Sequence, residues 1–148
     1  MTLADRLIAR VISTRRAGPK HAVTTVTGGP GGYRRQPCGD CPWRVDAVGE
    51  FPAEAFRHSA GTAYDMAMHT FACHQSGAEK PATCAGFLLR QGAHNLGVRL
   101  KAGRGAIDLA AVHDGGHELH ANYRAMAVAN GVDPADPVLA ACRDDAAI

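Results

Sequence analysis

The chain has 148 residues and a formal net charge of +2, a length that suits one domain. Its hydrophobic fraction is 46 %, but 28 of those residues are alanine, and Leu, Ile, Val and Phe together supply only 27. No apolar run approaches the roughly 18 residues of a membrane span, and so thin a core gains from a covalent or metal staple.

Residues 3–14 carry Leu3, Leu7, Ile8, Val11 and Ile12 at helical spacing, with Thr2 as cap, so a helix is expected there. Charges interleave with these apolar residues, which excludes a signal-peptide core and makes the cytoplasm the expected compartment. Residues 17–36 contain Thr-Gly-Gly-Pro-Gly-Gly and read as a linker. The stretch is not a phosphate loop, because the closing Gly-Lys-Ser/Thr is missing. Residues 1–44 carry net charge +6 and the remainder −4. The basic side chains Arg6, Arg10, Arg15, Arg16, Lys20, Arg34 and Arg35 therefore suit contact with nucleic acid or a partner protein through a flexible N-terminal arm.

The body is expected from residue 37 onward. Pro52 suits the first turn of a helix to about Ala60, and Thr83 can cap one over residues 84–91. Residues 95–101 fit helix or strand equally, and Ile107, Leu109 and Val112 allow one short strand. A helix over residues 118–130 would end at Gly131, and Asp136-Pro137 starts a last short one. The expected architecture is mostly α, with residues 1–36 as basic helix plus linker and 37–148 as a single helical domain with long loops, organised around a metal site.

The metal expectation comes from cysteines. In a reducing compartment, five cysteines read as ligands or reactive thiols rather than disulfides. Cys38-Gly-Asp-Cys41 is a Cys-x2-Cys knuckle, and Cys73 and Cys84 follow. Four thiolates complete a tetrahedral shell, and ligands converge in space whatever their separation in sequence. Softness selects Zn2+ or a [4Fe–4S] cluster, with zinc the commoner structural tenant and the cluster the alternative. The knuckle with Pro42 behind it and a widely spaced second pair also resembles the pattern of cluster-bearing uracil-DNA glycosylases. His74 is placed to bond a thiolate or replace a ligand, and Cys142 is a spare thiol or alternate ligand. Trp43 and Arg44, which follow Cys41-Pro42, are expected to shield the site, with base stacking the other reading of Trp43.

Enzymatic readings are weaker. Cys73 with His74 could form a nucleophile–base pair, but adjacent side chains diverge and no third residue orients them. Cys-Gly-Asp-Cys as a redox pair would need a βαβ setting. His113, His117 and His120 read as loop histidines, since Gly115-Gly116 interrupts any shared helix.

Pro37-Cys-x2-Cys-Pro-Trp-Arg44, Phe51-Pro52, Phe71-x-Cys-His74, Cys84-Ala-Gly86 and the segment from Tyr123 to Pro134 together resemble a family of small uncharacterised proteins of high-GC bacteria and their phages. The resemblance covers about residues 36–143. It implies a small stand-alone metal-site protein and no particular substrate.

Overall fold

The computed structural model describes residues 8–27 and 31–144. The first elements are an antiparallel pair, β1 (Arg10–Gly18) and β2 (His21–Thr27). Pro19 and Lys20 make the connection, and the register runs from Gly18↔His21 out to Arg10↔Thr27. The expected helix over residues 3–14 is corrected from Arg10 onward; residues 1–7, with Arg6, lie outside the described residues. Helical spacing was present, but Val11 and Thr14 pair with Val26 and Thr24 of a second β-branched run, Val23 to Thr27. Such side chains are stiff and favour paired strands once a partner is available.

That partner strand occupies much of the expected linker. The hairpin is docked on the body rather than hanging as a free arm. Ala17 is buried, His58 Nε2 bonds the Arg16 carbonyl at 3.1 Å, and the Ala9 N–H donates to the Glu79 carbonyl at 2.7 Å.

Four short α-helices follow among the described residues: α1 (Ala53–Ser59), α2 (Ala85–Arg90), α3 (Leu96–Gly103) and α4 (Tyr123–Ala129). Pro52, Cys84, Asn95 and Asn122 precede them, and the two asparagine side chains accept from the N–H of Val98 and Ala125. The ambiguous segment 95–101 is thus helical. The suggested strand near Ile107 is a loop followed by a 3-10 turn at Leu109–Ala111. Gly131 (φ 102°) follows α4 in the left-handed conformation that suits glycine after a helix. Asp136 and Pro137 open the final 3-10 turn, Pro137–Leu139.

The expectation of a mostly α domain organised around a four-cysteine metal site is corrected. Helices are short, the hairpin makes the fold mixed, and loops held by isolated bridges do much of the joining. The organising feature is aromatic. Trp43 is fully buried, with the rings of Tyr123, Phe71 and Phe87 edge-on to it at centroid distances of 5.9, 6.0 and 6.4 Å. Edge-to-face packing of this kind adds about 0.5–1.5 kcal/mol per pair beyond burial. Gly86 lies against Trp43 so closely that a Cβ there would fall 2.4 Å from the Trp43 Cβ. This fixes α2 against the segment that follows the knuckle.

Candidate metal centre

The knuckle turns at Gly39-Asp40, where the Cys41 N–H donates to the Cys38 carbonyl at 3.2 Å. Arg44 clamps it. Its Nη1 donates to the carbonyls of Gly39 (2.8 Å) and Cys38 (3.3 Å), while Asp46 receives its Nε and Nη2 at 2.8 and 2.6 Å. After the knuckle, Arg44 bridges to Leu119, and the His120 N–H donates to the Trp43 carbonyl at 3.0 Å.

The other two cysteines arrive on a closed loop. The Cys73 N–H donates to the Ala82 carbonyl (2.7 Å) and the Cys84 N–H to the Phe71 carbonyl (2.9 Å). Residues 71–73 and 82–84 are thereby paired across the intervening loop, and Cys84 stands immediately before α2.

The sulfurs meet in pairs. Cys41 and Cys84 are buried with their Sγ atoms 3.5 Å apart. Cys38, half-buried, interacts with Cys73 through its thiol and feels the charge of Cys41. Burial, then repulsion from Cys73 and Cys41, pushes the Cys38 thiol up to about 12. Cys41 is shifted down, first by the hydrogen bond from Cys84 and then by the backbone N–H groups of Trp43 and Arg44. Cys84 is shifted up by that same bond and by burial, against the N–H groups of Phe87 and Gly86. The Cys41 and Cys84 sulfurs thus share a hydrogen-bonding proton, and backbone donors are aimed at both. A cation would take the proton's place, because ligating cysteines must be deprotonated.

The four sulfurs do not form one mutually close set. The metal-capable group with all donor atoms within 4.8 Å of one another, among the described residues, is Cys38, Asp40 and His74. His74 Nε2 lies 2.8 Å from Asp40 Oδ1, and Gln75 donates to that oxygen at 2.6 Å. Phe51 meets the His74 ring edge-on at 5.0 Å. His74 therefore clusters with Cys38 and Asp40 rather than with its chain neighbour Cys73.

A family model matches residues 33–143, from just before the knuckle to just past Cys142. The chain belongs to DUF6283, a family of unknown function. Comparisons with curated proteins and with solved structures each gave no match.

The remaining residues singled out in the DUF6283 chain fall in different places. Cys142 is buried elsewhere in the core: its thiol donates to the Ala60 carbonyl at 3.8 Å, its backbone bridges to Tyr64, and burial raises it to about 11. Trp43 has no exposed surface, so it is core rather than a stacking platform. Arg44 acts on the knuckle's carbonyls. His113, His117 and His120 form no close donor group among the described residues. His120 is buried and shifted down by desolvation, and the Nδ1 of exposed His113 accepts the Gly115 N–H at 3.2 Å. Arg10, Arg15, Arg16 and Lys20 are exposed on the hairpin, whereas Arg34 and Arg35 stand beside Cys38. Sequence reasoning missed Asp40. Its place between two cysteines was visible, but nothing in the chain announced that His74 would meet it.

No helix among the described residues is long and apolar enough to cross a membrane.

Proposed function

We propose that this protein binds a thiophilic metal at the centre around Cys38, and that the metal ties the knuckle, the 71–74 loop and the start of α2 together. The observation that carries the reading is the convergence of Cys38, Asp40 and His74 within 4.8 Å. The thiols of Cys73, which bonds Cys38, and of the adjoining Cys41–Cys84 pair are the further donors. The backbone N–H groups aimed at Cys41 and Cys84 support thiolate ligation. Zinc is the first tenant on ligand chemistry, since it accepts sulfur, imidazole and carboxylate donors. The role is structural, in a reducing compartment such as the cytoplasm, where the thiols stay free to ligate. The hairpin's exposed arginines suit contact with nucleic acid or a protein partner as a secondary role.

One observation favours a [4Fe–4S] cluster as a second reading. Four thiolates about 2.3 Å from one tetrahedral zinc lie roughly 3.8 Å from each other. The Cys41–Cys84 pair matches that spacing at 3.5 Å, but the four sulfurs together spread more widely. A cluster distributes its cysteines over several irons.

The test is elemental analysis of anaerobically purified wild type, Cys38→Ser and Cys142→Ser. Bound zinc, or iron with sulfide, in wild type and Cys142→Ser and its loss in Cys38→Ser supports the proposal. Folded wild-type protein without metal refutes it.

A further inference from the structure

Beside the sulfur centre lies a second feature with its own chemistry. A cavity of about 340 Å³ is lined by Arg34, Arg35, Gln36, Cys38, Gln75 and His113, together with Pro37. Its size is at the small end of ligand pockets. Two backbone bonds shape it: the Arg34 N–H donates to the Thr83 carbonyl at 2.9 Å and the His113 N–H to the Arg35 carbonyl at 2.8 Å. The lining is thus pinned both to the segment that delivers Cys84 and to the loop that carries His113.

The charge in this cavity is one-sided. Arg44, Arg57, Arg124 and Arg143 each face a carboxylate at 2.6–2.9 Å. Arg34 and Arg35 have no carboxylate partner among the described residues, although both are exposed. Among the described residues, no Asp or Glu lines the cavity. The nearby carboxylate, Asp40, is engaged by His74 and Gln75. The His113 Nδ1 accepts from Gly115, so the neutral ring carries its proton on Nε2 and has a donor to offer. Two arginines with no carboxylate partner among the described residues, an imidazole N–H and the Gln36 amide around one small concavity make an anion receptor. Guanidinium matches the planar, bidentate geometry of oxyanions.

We infer that the Arg34–Arg35–His113 cavity binds a phosphate group, seated next to Cys38. This goes beyond metal binding and does not depend on it. The phosphate could belong to a small phosphorylated molecule or to a nucleic-acid strand, and the same guanidinium groups would hold either.

The experiment uses the full chain as purified, at low ionic strength, with inorganic phosphate as probe and titration calorimetry as readout. Wild type is expected to bind phosphate saturably, and Arg34→Gln/Arg35→Gln to weaken binding at least tenfold with circular dichroism and metal content unchanged. Arg99→Gln, outside the cavity, is the control and is expected to bind as wild type. A short single-stranded oligonucleotide is then added: displacement of phosphate assigns the site to nucleic acid, and failure to displace it assigns it to small phosphorylated molecules. Wild type without saturable phosphate binding overturns the inference, as does a double variant that binds phosphate equally well. A double variant that loses its metal also overturns it, because the arginines would then be counter-charges for the thiolates.

Discussion

Gly86→Ala tests the packing that sets α2 against the knuckle. A methyl at residue 86 would meet the Trp43 Cβ at 2.4 Å, Cγ at 2.7 Å and Cδ1 at 3.1 Å. Alanine is the better helix former by about 1 kcal/mol, so an unobstructed site would become more stable. The obstruction is the root of a fully buried side chain wedged among Phe71, Phe87 and Tyr123. Neither α2 nor Trp43 can yield without disturbing that set, and overpacking of this kind costs about 1–3 kcal/mol, occasionally more. Two contacts under 3 Å place this site at the upper end, leaving a net loss of about 2 kcal/mol. With a urea slope of about 2 kcal/mol per molar, the unfolding midpoint should fall by about 1 M. Trp43 is the only tryptophan, so its fluorescence reports the transition directly. The Gly86 N–H also faces the Cys84 sulfur, so metal should leave the variant faster under chelator. A variant as stable as wild type, or more so, would refute the packing argument.

Two other outcomes follow from buried groups. Tyr123→Phe removes the buried hydroxyl that donates to the Phe56 carbonyl at 2.6 Å and lies 2.7 Å from the Ser59 hydroxyl; thermal unfolding should show a loss of about 1–2 kcal/mol. In metal-free protein the Cys38 thiol, pushed up to about 12, stays protonated at pH 8. Its alkylation, followed by mass spectrometry, should be slow there and accelerate as pH rises well beyond 9; saturation near pH 9 would contradict the crowding of sulfurs around it. Metal loading should reverse the protonation and release protons, so affinity should rise with pH.

The parts of the molecule legible in the sequence are those governed by local chemistry. Pro52 before α1, Asn122 before α4, Gly131 after it and Asp136-Pro137 are capping signals that act within one turn, whatever surrounds them. The hairpin was misread because Leu3, Leu7, Ile8, Val11 and Ile12 satisfy a helical period. What decided the matter was a strand more than ten residues away, Val23 to Thr27, inside a glycine-flanked segment read as linker. The knuckle was evident from its spacing, whereas the Asp40–His74 contact depends on how the 71–74 loop closes against residues 82–84. Gly86 looked like an ordinary residue of a Cys-Ala-Gly motif, and only its closeness to Trp43 explains it. Arg44 looked like a shield because it follows a cysteine. In the fold it reaches back to the Cys38 and Gly39 carbonyls, a six-residue return that composition does not reveal.

The most direct measurement is metal content of the anaerobically purified full chain, read beside its Cys38→Ser and Cys142→Ser variants. Stoichiometric zinc, or iron accompanied by sulfide, present in wild type and Cys142→Ser but lost from Cys38→Ser, is the outcome expected of a metal centre at this site. A folded wild-type chain carrying neither metal would contradict it.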